Sequence, residues 1–242
     1  MDLHLFRGIQ VKGLPPGREI EDRIIAEERY ALYLNDLLFS EHIASGDQLC
    51  ELGAGFVITE GLASRVDSVE VNGHDIRVYA PIEGPIEREL RSSGCIGAVR
   101  PPGKVNSPLS ICCGEVTRYT ETIESPEWRK TGALHSAVLV HDGNVAARAS
   151  DIGRHNTVDK VVGHAVLNGI PTGECVIGCT GRQPAGMVAK YGHAGVPIAI
   201  SRAASTREGI HTAEESGVTL ICFSRGDRFT VYTHPERIRD LR

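Results

Sequence analysis

The chain has 242 residues, 41% hydrophobic and 24% charged, an ordinary globular composition long enough for one large domain or a core with a smaller unit attached. Its formal net charge of -5 argues against a general affinity for nucleic-acid backbones, which requires clustered positive charge, although a local basic patch is compatible with it. Residues 1–13 hold no apolar h-region and no apolar run approaches a membrane span, so a cytoplasmic protein without membrane contact is expected.

In chain order, residues 1–18 read as an irregular arm closing in a Gly/Pro turn at 13–17. Residues 19–25 and 29–38 alternate as two strands, with Asn35-Asp36 as a tight turn. Residues 46–59 place Leu49, Leu52, Phe56 and Val57 at helical spacing, with Asp47 near the start. Strands follow at 66–71 and 75–79, joined by Asn72-Gly73, a hairpin signal, and another near 86–90. Residues 91–108 are rich in Gly, Pro and Ser and read as a mobile surface loop. Residues 115–124 read as a short helix. Beyond 130 the pattern alternates. Strands are expected near 136–140, 144–150, 174–179, 197–201, 218–223 and 228–232, with helices at 154–167, 184–193 and 205–216. This is the pattern of a layered α/β unit behind a more strand-rich front.

The seven cysteines are odd in number, which argues against a disulfide scaffold for a cytosolic chain, and no pair has C-x-x-C spacing. Cys175, Cys179 and Cys222 fall in apolar strands and read as small hydrophobes, and Cys50 falls in a helix. Cys95 stands in Ser92-Ser-Gly-Cys-Ile-Gly97 with Arg91 and Arg100 nearby. Glycine leaves room around the sulfur, and positive charge favours the thiolate, the reactive form. The alternative is an ordinary exposed cysteine. Cys112-Cys113 reads as metal ligands, as a resolving thiol for Cys95, or as the end of a strand; no further ligand spacing supports a zinc site.

Asp151-Ile-Gly-Arg-His-Asn-Thr-Val-Asp-Lys160 is the most informative stretch. Arg154, His155 and Asn156 stand at the start of an amphipathic helix, whose free N–H groups and dipole suit an anion such as phosphate. As isolated residues they would be surface side chains and a cap. Thr180-Gly-Arg182, Ser201-Arg202 and Phe223-Ser-Arg-Gly-Asp-Arg228 each follow a strand. Three arginine-bearing turns on one sheet edge would suit a large polyanion, because arginine makes bidentate contacts with phosphate. No P-loop or G-x-G-x-x-G accompanies them, so ordinary ATP or NAD binding is not indicated. His135 precedes a strand in Thr131-Gly-Ala-Leu-His-Ser-Ala137. A zinc deaminase would need H-x-E and then P-C-x-x-C, and neither is present.

Taken together these motifs resemble the FdhD-type formate dehydrogenase accessory proteins. The resemblance runs through residues 27–35, Leu49-Cys-Glu-Leu-Gly-Ala-Gly-Phe-Val-Ile-Thr-Glu-Gly61, the His135 motif, residues 151–160 and residues 223–237. It implies a sulfur carrier. Such proteins accept sulfur from a cysteine desulfurase as a cysteine persulfide. They pass it to the molybdenum or tungsten atom of a bis-pterin guanine dinucleotide cofactor that then enters formate dehydrogenase. It implies a layered α/β/α core similar to the cytidine deaminase fold without its zinc, over 115–242. A smaller strand-rich N-terminal region with the Cys95 loop would span 1–114. It also implies a homodimer. By resemblance Cys95 is the persulfide position, and Phe223, Ser224, Arg225, Gly226, Asp227 and Arg228 form the cofactor segment. Arg154, His155, Asn156, Arg182, Arg202 and His135 are expected to join them. The sequence departs from the family pattern in lacking a second loop cysteine, and in Ser150, Pro184 and Gly186. A cofactor-binding chaperone that transfers no sulfur is the rival expectation.

Overall fold

The computed structural model describes residues 3–84, 88–90, 96–98 and 100–241. An antiparallel ribbon comes first, β1 (Leu3–Gln10) against β2 (Arg18–Ile25). The opening segment is therefore a strand, not an irregular arm. Arg7 and Gly8 break its apolar alternation, so only pairing across the 13–17 turn reveals it. The strand expected over 29–38 is likewise two, β3 (Glu28–Leu34) and β4 (Leu37–Ala44). Asn35 and Asp36 between them both have positive φ, 48° and 65°, as a two-residue primed turn demands. After α1 (Leu49–Thr59), β5 (Ser68–Asn72) and β6 (Asp75–Tyr79) complete a sheet of order β4-β3-β6-β5. Leu52, Phe56 and Val57 of α1 pack in one core with Leu32, Leu34, Ile76 and Val78 of this sheet. Then β7 (Arg88–Leu90) pairs β8 (Ile96–Ala98) antiparallel. Cys95 lies between them in sequence, outside the described residues.

The second half follows the expected alternation closely. Its elements are α2 (Cys113–Thr122), α3 (Pro126–Thr131), β9 (His135–His141), β10 (Asn144–Asp151), α4 (Arg154–Leu167), β11 (Cys175–Cys179), α5 (Ala185–His193), β12 (Ile198–Ser201), α6 (Arg207–Ser216), β13 (Thr219–Arg225) and β14 (Arg228–Val231). Helix α3 had no periodic signal because it has six residues. It is set by local chemistry: the Ser125 hydroxyl accepts the Trp128 N–H, and Pro126 opens the first turn.

The large sheet has the order β10-β9-β11-β12-β13-β14, parallel only across β11, β12 and β13. Its two faces make separate cores. Val158, Val161 and Val162 of α4, Met187 and Tyr191 of α5 and Ala213 of α6 cover Leu139, Ile177 and Leu220. On the other face Val116, Tyr119 and Ile123 of the α2 region cover Val138, Val140, Ile198 and Ile221. Alternate strand residues thus point into opposite layers.

Helices α1 and α4 touch backbone to backbone. A Cβ on Gly55 would stand 1.7 Å from the Asp159 carbonyl oxygen, and one on Gly163 1.9 Å from that of Glu51. Both positions therefore require glycine.

Candidate anion-binding site

The turns after β11, β12 and β13 lie side by side because their backbones bond to one another. The Arg202 N–H donates to the Cys179 carbonyl at 3.1 Å, and the Phe223 N–H to that of Ala203 at 3.0 Å. Because β9 runs against β11, its start meets the end of β11: the Thr180 N–H donates to the Ser136 carbonyl at 3.0 Å. Asp151, ending β10, pairs with His135. Helix α4 starts here too. The Arg154 side chain lies against Gly181, where a Cβ would stand 2.9 Å from the Arg154 Cβ. His135, Arg154, Arg182, Arg202 and the β13 end thus share one edge of the sheet, the carboxyl end of its parallel strands.

Their settings differ. Arg182 is exposed, as are Arg225, Gly226, Asp227 and Arg228 at the β13–β14 turn. Gly226 turns with φ 58°. Arg202 pairs with Glu124, Nη2 to Oε1 at 2.7 Å, and its carbonyl accepts the Arg225 Nε–H at 3.2 Å. Phe223 is 36% exposed and holds φ 53°, a left-handed conformation unusual for a bulky residue. Ser224, fully buried, hydrogen-bonds the Thr120 hydroxyl and so anchors the strand end to α2. Burial holds the His135 ring below the usual histidine range, and Arg154 and Arg182 push the same way against Asp151.

His155 and Asn156 are buried. Asn156 Nδ2 donates to the Ile43 carbonyl at 2.9 Å and to Asp151 Oδ1 at 2.8 Å. The amide therefore ties the helix start to β4, and Gly153, not Asn156, is the cap position. Asp151 is the hub. Oδ1 also accepts the Gly153 N–H at 2.9 Å, while Oδ2 accepts the Ser45 N–H at 3.1 Å, the Ser45 hydroxyl at 3.0 Å and Lys160 Nζ at 2.7 Å. The motif 151–160 contains its own ion pair, fully buried, and this pair fixes the turn that carries Arg154. In the sequence Asp151 and Lys160 carry no assignable role, since only folding shows that neither faces solvent. Glu124 carries no sequence signal, and Thr180 is marked only as the start of the Thr180-Gly-Arg182 turn.

The described thiols stand apart from this edge or inside the core. Burial pushes Cys175 and Cys222 up to about 12 and raises Cys179. Cys112 caps α2 with its sulfur, and the Cys113 N–H donates to Asp240. Both open α2, whereas Glu124 follows its far end. Ten residues of helix separate the two ends, about 15 Å.

A profile described as the FdhD/NarQ family matches residues 25–239. The chain belongs to this family. It is 34% identical over 232 residues to the sulfur carrier protein FdhD of Methanothermobacter thermautotrophicus, covering 91% of this chain and 93% of that one. It is also 34% identical over 245 residues to the sulfur carrier protein FdhD of Wolinella succinogenes, covering 93% and 85%. A crystal structure described as a formate dehydrogenase accessory protein from Desulfotalea psychrophila superposes with a TM-score of 0.80 at 26% identity, covering 98% of this chain and 99% of that one. The FdhD/NarQ fold in this chain is thus the layered α/β assembly described above. No helix among the described residues is long and apolar enough to cross a membrane.

Proposed function

We propose that this protein is a cytoplasmic sulfur carrier for the maturation of formate dehydrogenase or a related molybdenum or tungsten enzyme. The observation that carries it is the shared edge of Arg182, Arg202, Arg225 and Arg228 beside the start of α4. Convergent guanidiniums and a helix N-terminus suit the pyrophosphates of a bis-pterin guanine dinucleotide. That cofactor is cargo here, and its metal is the acceptor of sulfur. Residues 115–242 would hold it, and the strand-rich residues 1–114 would present Cys95. A homodimer is part of this reading.

The Cys95 thiolate attacks the terminal sulfur of a desulfurase persulfide, and the S–S bond breaks to leave the desulfurase as a thiolate. Delivery of sulfide to the metal requires two electrons. A thiol supplies them by attacking the Cys95 sulfur, forming a disulfide as sulfide departs. The loop holds one cysteine, and Cys112 and Cys113 open the far end of α2. An external thiol reductant therefore fits this chain. The lack of a second loop cysteine motivates the rival reading of a binding chaperone without sulfur transfer.

Incubation with a cysteine desulfurase and cysteine, followed by peptide mass spectrometry, tests both. A reductant-labile gain of one sulfur on Cys95 is expected, lost in Cys95→Ala. Labelling of Cys112 or Cys113 moves the active thiol. No labelling, beside a desulfurase active on another acceptor, leaves the chaperone.

A further inference from the structure

We propose that Glu124 is a positioning residue of the strand-edge site, holding Arg202 in the orientation that receives the phosphates of the cargo. The inference rests on the reading of that edge as a pyrophosphate site. Glu124 sits between α2 and α3. One carboxylate oxygen meets Arg202 Nη2 at 2.7 Å and the other meets Arg129 Nε at 3.2 Å. Its side chain is only 14% exposed, so solvent screens this bridge less than an open surface pair. The Arg202 backbone is held as well, by Cys179 on its N–H and Arg225 on its carbonyl. Carboxylate and backbone together leave the guanidinium little freedom, while its other N–H groups can still serve a ligand.

The electrostatic need is plain. Arg154, Arg182, Arg202 and Arg225 are gathered on one edge, and like charges resist being aimed at one point. A fixed carboxylate beside Arg202 offsets that repulsion before the ligand arrives. Ordering a long side chain in advance lowers the cost of binding. Through the same carboxylate, Arg129 of α3 joins the site.

Charge counting alone gives the opposite sign, since removing an acid from an anion site tightens anion binding. The sign therefore decides. Titration calorimetry would measure guanosine diphosphate and inorganic pyrophosphate on the wild type, E124Q, R202A and the double variant, with a melting temperature for each. E124Q is expected to weaken both probes roughly tenfold. In the R202A background it is expected to add little. Unchanged or tighter binding in E124Q overturns the proposal, as does an equal E124Q loss with and without Arg202. If the wild type binds neither probe, the strand-edge reading itself falls, and the role of Glu124 falls with it.

Discussion

Lys160→Met should be among the most damaging single changes in this protein, because its ammonium is buried against Asp151. The ammonium is fully buried and bonds Asp151 Oδ2 at 2.7 Å, the Ser45 hydroxyl at 3.0 Å and carbonyl at 3.2 Å, and Asp47 at 3.3 Å. Methionine keeps most of the volume and removes the charge. Asp151 would then be a buried carboxylate without its counter-ion, which costs about 3–5 kcal/mol. For a chain of this size that corresponds to a fall in melting temperature of roughly 6–20 °C. Replacing a whole buried pair is often harmless, but not here. Asp151 also accepts from the Ser45 and Gly153 N–H groups and from Asn156, and Lys160→Met with Asp151→Leu would strand all three donors. The double variant is therefore expected to melt no higher than the single one. Guanosine diphosphate affinity should fall too, because Arg154 begins three residues after Asp151. Differential scanning calorimetry with a parallel binding titration checks this. A fall under ~3 °C for Lys160→Met, or recovery in the double variant, would refute the hub assigned to Asp151.

Three further outcomes follow from other contacts. Gly55→Ala drives a methyl into the Asp159 carbonyl and should cost at least about 3 kcal/mol in denaturant unfolding; a loss under ~1 kcal/mol would show that the α1–α4 crossing is looser than described. Burial lowers the His42 ring to about 4, with Lys190 acting the same way, so the unfolded chain takes up its proton first as pH falls. The stability from this ring is complete above pH ~6.5 and is lost between there and about 4, on the order of 3 kcal/mol, and His42→Gln should remove that part of the pH profile; identical profiles would sink the idea. Phe223→Gly should leave stability unchanged or raise it by about 1 kcal/mol, because glycine accepts φ 53° without strain. It should also weaken guanosine diphosphate by about 1–3 kcal/mol, as expected for a lost stacking ring, while inorganic pyrophosphate binds as before; equal effects on both probes would remove Phe223 from base contact.

The sequence alone determined most of the second half. Period-2 and period-3.6 patterns over 136–232 are long, and glycine or proline punctuates them, so each strand and helix there was legible. It also determined that arginines follow three successive strands. Local signals were weaker at the front. Strand β1 shows itself only by pairing with β2 across the 13–17 turn and β4 only by pairing with β3, and α3 depends on one cap and one proline. The tertiary structure alone decided what the polar run of 151–160 does. Asp151, Asn156 and Lys160 are indistinguishable in a string from ligand-facing groups, yet Ser45 and the Ile43 carbonyl, more than a hundred residues earlier, meet them in the core. It decided equally that Glu124 stands beside Arg202, seventy-eight residues further on, and that Cys112 and Cys113 stand at the other end of α2. Periodicity records how a segment meets its own neighbours along the chain. Pairing between distant charges is set by which layers close on each other, and no local pattern encodes it.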